Sequence, residues 1–184
     1  MSHPFPPPVA TMEARVSERW PQGEFVYEPK WDGFRSLSWS PPEIRLDSRN
    51  RKPLLRYFPE LRPALEQLPP GTVVDGEIVV VVDGTTDFDT LSQRIHPADS
   101  RVQMLAETAP AELVAFDLLA HRGEDLRSVP LAERREHLVE LAAELDHPWH
   151  LTPQTGAEGM ARAWFHDFES AGCDGIVAKR PELP

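Results

Sequence analysis

The longest apolar run in the sequence is Ile78-Val79-Val80-Val81-Val82, five consecutive β-branched residues. Such side chains favour extended backbone, and the run is too short to cross a membrane, so we read it as a buried strand. The acidic segment Asp75-Gly76-Glu77 comes directly before it, inside a strand-like stretch of residues 73–82. The chain must therefore fold around a buried strand that also carries two acids.

Composition sets the size of the core and the expected compartment. With 184 residues, 40% apolar and 27% charged, the chain is long enough for one buried core but hardly for two full domains. A mean hydropathy of -0.42 and the lack of an 18-residue apolar run argue against a membrane partner, and no signal peptide is apparent. The single cysteine, Cys173, cannot form an internal disulfide, so we expect a cytoplasmic protein.

The net charge argues at first against a nucleic-acid partner. Nineteen Lys and Arg stand against thirty Asp and Glu, which gives -11, and a phosphate backbone repels such a surface. The charge is unevenly distributed, however. Residues 28–62 hold eight bases and five acids, a net +3, so the remainder carries -14. One basic face on an acidic body is compatible with a polynucleotide ligand.

Apolar periodicity and turn residues predict an α+β fold, with mainly antiparallel sheets flanked by helices. Strands are expected at residues 25–27, 36–39, 44–49, 73–82, 113–116 and 176–178, several of them joined by hairpin-type turns. Helices are expected at residues 12–20, 59–68, 88–95, 131–145 and 157–171, the last ending at Gly172 as a C-cap. Residues 1–20 are read as an N-terminal arm laid over a domain of residues 21–184.

Polar islands interrupt the predicted strands at five places. They are Glu28 to Arg35, Ser48-Arg49-Asn50, Asp75-Gly76-Glu77, Phe116-Asp117, and Asp174-Gly175 with Lys179. Acids inside strands are costly to bury unless they bind cations or hydrogen-bond donors. Lys30 taken alone fits a surface lysine in an acidic turn equally well, but several islands in one domain indicate a pocket for a metal and phosphates. The seven histidines show no spacing typical of metal ligands and are interpreted as structural or exposed.

The order of these islands resembles the covalent nucleotidyltransferases, which include ATP-dependent DNA ligases, RNA ligases and mRNA capping enzymes. Lys30-Trp31-Asp32-Gly33-Phe34-Arg35 is similar to motif I, K-x-D-G-x-R. Similar to motifs Ia, III, IIIa and IV are, in order, Ser48-Arg49-Asn50, Val74-Asp75-Gly76-Glu77, Val114-Ala115-Phe116-Asp117 and Asp174-Gly175-Ile176-Val177-Ala178-Lys179. Residues 56–61 and 91–97 narrow the resemblance to bacterial DNA ligase C and the ligase module of ligase D, a group tied to break repair.

The resemblance implies a covalent mechanism. Lys30 would attack the α-phosphate of ATP, forming a lysine–AMP phosphoramidate and releasing pyrophosphate. AMP would then pass to a 5′-phosphate at a nick, where the 3′-hydroxyl displaces it. By the same resemblance, Phe116 would stack on the adenine face and Glu28 would lie at the adenine edge. Arg35 and Glu77 would lie near the ribose, and Lys179 near the phosphates. Arg49 would contact AMP or the 5′-phosphate of the nick.

A divalent cation, Mg²⁺ or Mn²⁺, is implied as well, held by Glu77 and Asp174. A free lysine at neutral pH is deprotonated in roughly one molecule in a few thousand, so the nucleophile is scarce. Glu28 and Asp32 worsen this, because nearby acids favour the ammonium form of Lys30. A bound cation would reverse the local field and neutralise the phosphates.

Three functions remain open at this point: an adenylation domain of an ATP-dependent DNA ligase, an RNA ligase or capping-type enzyme, and a weak or inactive module that binds nucleotide or DNA ends. In the family, motif V and an oligonucleotide-binding (OB) fold domain with motif VI follow motif IV, whereas this chain ends at Pro184. We therefore expect slow adenylylation and weaker nick sealing from the chain alone. The implied partners are nicked or broken double-stranded DNA, contacted by Arg49, Arg51 and Lys52, and a Ku-type end-joining protein or a separate OB-fold chain.

Overall fold

A computed structural model of the chain describes residues 2–96, 98–167 and 173–184. Within these residues nine strands, five α-helices and two short 3-10 helices, Leu55–Tyr57 and Pro59–Leu61, form an α+β fold, as expected. The strands are β1 (Val26–Trp31), β2 (Phe34–Trp39), β3 (Arg45–Ser48), β4 (Val73–Val82), β5 (Thr85–Thr86), β6 (Ala111–His121), β7 (Glu124–Asp125), β8 (Trp149–Leu151) and β9 (Cys173–Lys179). The helices are α1 (Arg62–Glu66), α2 (Phe88–Ser92), α3 (Asp99–Thr108), α4 (Leu131–Ala142) and α5 (Glu158–Asp167). None of these helices has the length and apolar composition that a membrane span requires.

Within the described residues the strands form two sheets. The larger has seven strands in the order β3-β2-β4-β6-β7, with β5 beside β4 and β8 beside β6. Its pairings are antiparallel except for β6 with β8, which are parallel, so the expectation of mainly antiparallel sheets is confirmed. The smaller sheet pairs β1 with β9. Strands β1 and β2 flank the Asp32-Gly33 turn but belong to different sheets, so this turn is not a hairpin.

The main core lies between the larger sheet and α4. Leu138 and Leu141 of α4 are 1% exposed and belong to the same apolar cluster as Ile78 and Val80 of β4. Full burial of such a side chain stabilises the fold by about 1.5–3 kcal/mol. The leucine repeat that predicted the helix is therefore the face that holds it on the sheet.

The long apolar run is buried only in part, which corrects the sequence interpretation. Ile78, Val79 and Val80 are buried, whereas Val81 and Val82 are 40% and 41% exposed. The pairing of β4 with β6 ends at Val80, and beyond it β4 pairs with the two-residue strand β5. Within the described residues, the last two valines of β4 pair only with the two-residue strand β5.

One helix prediction is wrong, and one helix was missed. Residues 12–20 are not helical, and Met12 and Val16 are 71% and 100% exposed. A stretch this short is only marginally helical unless it buries an apolar face, and this one buries none at those positions. Helix α5 is described over 158–167 of the predicted 157–171, and residues 168–171 with the proposed C-cap Gly172 lie outside the described residues. Helix α3 was not predicted, and it buries only Val102 and Leu105.

A buried arginine joins the two segments that narrowed the family resemblance. Arg94 has 0% side-chain exposure, and its Nη1 lies 2.7 Å from Glu60 Oε1. Its guanidinium also donates to the backbone oxygens of Tyr57 at 3.0 Å and Ala109 at 2.9 Å, and lies 4.9 Å from the Phe58 ring centroid. The segment after α2 is thereby tied to the turns before α1 and to the start of β6.

This network predicts that Arg94→Ala lowers the free energy of unfolding by about 3–5 kcal/mol, because Glu60 loses the charge that compensates it. The matched control is Arg101→Ala on α3, where an exposed guanidinium has a long 3.4 Å contact with Gln93. We expect the control to change stability by no more than about 0.5 kcal/mol. Urea unfolding of both variants measures the difference, and equal losses would contradict the role assigned to Arg94.

Candidate active site

The pairing of β1 with β9 brings Lys30 next to Asp174. Lys30 is opposite Gly175 and Trp31 is opposite Cys173, so Asp174 is an extra residue in β9, at a bulge in the ladder. A bulge re-aims the side chain of the extra residue. Here the Lys30 Nζ donates to Asp174 Oδ2 at 2.5 Å, and the two side chains are 52% and 51% exposed. The predicted nucleophile therefore stands in an open, acidic position.

A buried ion pair lies beside this exposed one on the same two strands. Glu28 is 2% exposed, and its carboxylate is 2.6 Å from Lys179 Nζ. The Gln154 side-chain amide donates to the other Glu28 oxygen at 2.7 Å. Sequence analysis singled out Glu28 and Lys179 but missed Gln154, which follows β8 and lies in no motif.

Phe116 also occupies a bulge. Asp75 pairs with Asp117 and Gly76 with Ala115, so Phe116 is the extra residue in β6. Its ring centroid lies 4.8 Å from Lys179 Nζ and 5.4 Å from Arg35 Cζ, within range of cation–π attraction. The half-buried ring thus faces the residues of motifs I and IV and is not part of the two apolar core clusters in the described residues.

Arg35 is held by Asp75, the first acid of the Asp75-Gly76-Glu77 island. Both carboxylate oxygens of Asp75, a residue 2% exposed, accept from Arg35, at 3.0 and 2.7 Å. Arg35 also donates to the backbone oxygen of Met12 in the N-terminal segment. Glu77 is directly opposite Arg35 in the β2–β4 ladder. A bidentate pair of this kind fixes the plane of the guanidinium beside Phe116 and Glu77.

Two glycines allow the strands of the site to approach closely. A Cβ at Gly33 would lie 2.3 Å from the backbone oxygen of Ile78, and one at Gly76 would lie 2.6 Å from that of Val114. Both positions exclude any side chain because the obstructing atoms are backbone. Glycine is therefore required at both positions, by the close approach of the β1–β2 turn to β4 and of β4 to β6.

The carboxyl groups around Lys30 are of the ligand type that a divalent cation takes. Burial raises the pKa of Glu77 to about 8, with the Arg35 charge opposing the shift and Asp75 adding to it. Burial and the neighbouring Asp174 raise the pKa of Asp32. Hard carboxylate oxygens suit Mg²⁺ or Mn²⁺, so these acids match the predicted metal in chemistry. Among the described residues, however, no three of them bring ligand atoms within 4.8 Å of one another.

The predicted DNA contacts lie in and after the turn that follows β3. Arg49 is 57% exposed, and its guanidinium pairs with Glu13 at 2.7 Å. Arg51 and Lys52 are exposed in the same turn.

The basic face predicted for residues 28–62 is largely neutralised, which corrects the simple charge count. Four of its arginines are paired with acids: Arg35 with Asp75, Arg45 with Asp47 and Glu43, Arg49 with Glu13, and Arg56 with Asp99. Asp75, Glu13 and Asp99 come from outside the stretch, so the acidic remainder of the chain compensates it.

The raised pKa of Glu77 predicts a pH dependence of stability. Between its ordinary value of 4.5 and about 8, the folded protein keeps a proton that the unfolded chain releases. The free energy of unfolding therefore falls as pH rises through this range, and Glu77→Gln removes that part of the fall. Urea unfolding across a pH series with EDTA measures it, with Glu124→Gln on the exposed β7 as control. Parallel curves for wild type and Glu77→Gln would contradict the prediction.

The sequence of the chain matches known proteins of one family. Residues 8–184 match the family model of the ATP-dependent DNA ligase domain. DNA ligase C of Mycobacterium tuberculosis is 46% identical over 189 residues, which cover 100% of this chain and 52% of that protein. The multifunctional non-homologous end joining protein LigD of Pseudomonas aeruginosa is 33% identical, over 96% of this chain and 20% of that protein.

Solved structures give the same result. A mycobacterial DNA ligase D complexed with ATP and MES superimposes with a TM-score of 0.68 at 27% identity, covering 86% of this chain and 49% of that one. Chlorella virus DNA ligase-adenylate shares the fold, with a TM-score of 0.59 at 21% identity over 88% of this chain and 55% of that one. The chain spans about half the length of the ligase C proteins it matches. Since the family model covers the chain from residue 8 to its last residue, the protein belongs to the ATP-dependent DNA ligase family.

Proposed function

We propose that this chain is the adenylation domain of a ligase C-type DNA ligase and that Lys30 takes AMP from ATP. The observation that carries the proposal is that residues of motifs I, IIIa and IV meet with Glu28 around Lys30, at a site we call the Lys30 cleft. Lys30 contacts Asp174, Lys179 contacts Glu28, and both Lys179 and Arg35 contact Phe116. The family match supports the same reading. It favours a DNA ligase over an RNA ligase or capping-type enzyme.

In the proposed first step, the Lys30 amine forms a bond to the α-phosphorus of ATP. The bond between that phosphorus and the bridging oxygen breaks, and pyrophosphate leaves with the electron pair. Asp174 accepts a hydrogen bond from Lys30 Nζ at 2.5 Å, so it holds the amine at the end of β1. Glu77 and Asp174 would hold Mg²⁺ or Mn²⁺, which would neutralise phosphate charge and favour the neutral amine.

The proposed adenine position explains why two cations now face Phe116. A stacked base would take the place of one of them on the ring. Lys179 contacts one carboxylate oxygen of Glu28, whereas Arg35 is held by both oxygens of Asp75, so we expect Lys179 to be the one that turns towards the phosphates. Glu28 would then accept from the adenine amino group, beside the Gln154 amide.

The decisive experiment is intact-mass measurement after incubation with ATP and Mg²⁺ or Mn²⁺. We expect the mass of one adenylyl group to be added to the wild type and to be absent from Lys30→Ala. The chain has three lysines, Lys30, Lys52 and Lys179, so Lys52→Ala is a matched control that should still be labelled. Peptide mapping then locates the adduct.

Two results would contradict the proposal. One is the absence of any adduct in a wild-type protein whose circular dichroism shows that it is folded. The other is a persistent adduct in Lys30→Ala. Nucleotide binding without an adduct would favour the non-catalytic binding module, and labelling by GTP in place of ATP would favour a capping-type enzyme.

For the DNA step, we propose that Arg49 receives the 5′-phosphate of a nick, with Arg51 and Lys52 beside it. The Glu13 carboxylate now occupies Arg49 at 2.7 Å, where it takes the place of a phosphate oxygen. A segment that carries Glu13 must release Arg49 before DNA can bind there.

Glu13→Gln should therefore tighten binding of nicked DNA by about two- to fivefold, as expected for the loss of one exposed competing ion pair. Glu18→Gln, an exposed acid of the same segment, is the control and should have little effect. Fluorescence anisotropy at fixed salt compares nicks with and without the 5′-phosphate. An equal gain in both variants, or no gain with the phosphorylated nick, would contradict the competition.

We place this reaction in the cytoplasm, in the repair and recombination of nicked or broken double-stranded DNA. The name of the Pseudomonas aeruginosa relative refers to non-homologous end joining, which supports a Ku-type end-binding protein as a partner. An OB-fold unit that closes over the DNA is the second candidate partner. Co-purification with each candidate, in the presence and absence of DNA ends, distinguishes them.

A further inference from the structure

A second group of potential metal ligands lies outside the Lys30 cleft. One ligand atom each of Glu112, His147 and His150 lie within 4.8 Å of one another. His150 Nε2 is 2.6 Å from Glu112 Oε2, and the rings of His147 and His150 are 6.0 Å apart at an interplanar angle of 77°. Sequence analysis read these histidines as structural or exposed, although the His-x-x-His spacing was visible and Glu112 completes it from another strand.

The backbone that carries these three residues is well anchored. Glu112 is on β6, His150 is on β8, and the two strands pair in parallel with Val114 opposite His150. The Leu113 amide donates to the backbone oxygen of Pro148 at 3.0 Å, in the turn between the histidines. Trp149 is 8% exposed and donates its indole N–H to Ala64 at 2.9 Å. The ligands therefore sit on a fixed frame, while both imidazoles remain exposed.

The donor set differs in kind from the acids around Lys30. Two imidazoles and one carboxylate form a usual protein ligand set for Zn²⁺ with the fourth position open, whereas Mg²⁺ prefers oxygen ligands. In tetrahedral coordination with bonds of about 2.0–2.1 Å, the ligand atoms are about 3.3 Å apart. The 2.6 Å contact between His150 and Glu112 must therefore lengthen on metal binding, and any wider separation within the 4.8 Å group must shorten. Both imidazoles are exposed, which leaves them room to rotate.

We propose that Glu112, His147 and His150 form a Zn²⁺ site that is separate from the adenylation site. Its fourth ligand is water or a group brought by a partner. The site lies on the sheet face that carries Glu77, because Glu77 pairs with Val114 and Val114 with His150. At about 4.8 Å per strand, the two positions are about 10 Å apart.

Zn²⁺ bound here would link β8 to β6 through His150 and Glu112. The chain leaving β8 contacts the Lys30 cleft twice, because Trp31 donates to Thr152 at 2.9 Å and Gln154 donates to Glu28 at 2.7 Å. The metal would therefore stabilise the wall of the cleft without touching the nucleotide. Its expected signature is a rise in melting temperature with Zn²⁺.

The test is equilibrium dialysis with Zn²⁺ and the absorption spectrum with Co²⁺ as a substitute, both without ATP or DNA. We expect one equivalent of Zn²⁺ in the wild type and an affinity at least about tenfold lower in His147→Ala and in His150→Ala, since even outer-shell changes cost this much. His166→Ala, an exposed histidine on α5, is the matched control. Cys173→Ser excludes a thiolate site beside Asp174.

The proposal is overturned if the wild type binds no Zn²⁺ under conditions in which it is folded. It is also overturned if His147→Ala binds as tightly as wild type, or if Cys173→Ser rather than the histidine variants loses the metal. His147 is exposed, so its replacement is not expected to unfold the domain, and circular dichroism checks this. None of these readouts depends on Lys30 or on adenylylation.

Discussion

The antiparallel pairing of β1 with β9 is the constraint on which the rest of the site depends. These strands are far apart in sequence, and their register places opposite charges across the ladder twice. The exposed pair, Lys30 with Asp174, contributes little to stability because water screens it. The buried pair, Glu28 with Lys179, is different, since either charge left alone would be strongly unfavourable. The small sheet is thus tied together by the same residues that are proposed to meet the nucleotide.

The domain carries a net negative charge, while cationic side chains at the site are paired with carboxylates of the same chain. With a net charge of -11, the long-range field opposes the approach of DNA. The site compensates locally: Arg35 is held by Asp75, Lys179 by Glu28, and Arg49 by Glu13. In the proposed binding of nucleotide and DNA, Lys179 and Arg49 would each exchange a carboxylate for a phosphate, whereas Arg35 would keep Asp75. The proposed binding would therefore exchange partners more than it would add contacts.

Sequence reasoning succeeded where a single element carries its own signal. The valine run predicted β4, and the leucine repeat predicted α4. The motif order singled out Lys30 and Asp174, which the fold brings into contact, while their roles stay predictions. It failed where the outcome depends on long-range partners. The Asp32-Gly33 turn suggested a hairpin, but β1 pairs with the distant β9. Arg94 gave no sign of its burial, and Gln154 has no motif, because the partners of both become neighbours only in the folded chain.

The bulge at Phe116 has a consequence for how this fold can change. Because Phe116 is an extra residue in β6, deleting it would restore regular pairing with β4 and leave the flanking core residues on their own faces. The strand would lose its aromatic ring from the cleft without losing its place in the sheet. Loss of a single codon would thus remove the ring proposed to stack on adenine while the β4–β6 pairing is kept, so the proposed activity and the sheet depend on different features of this position.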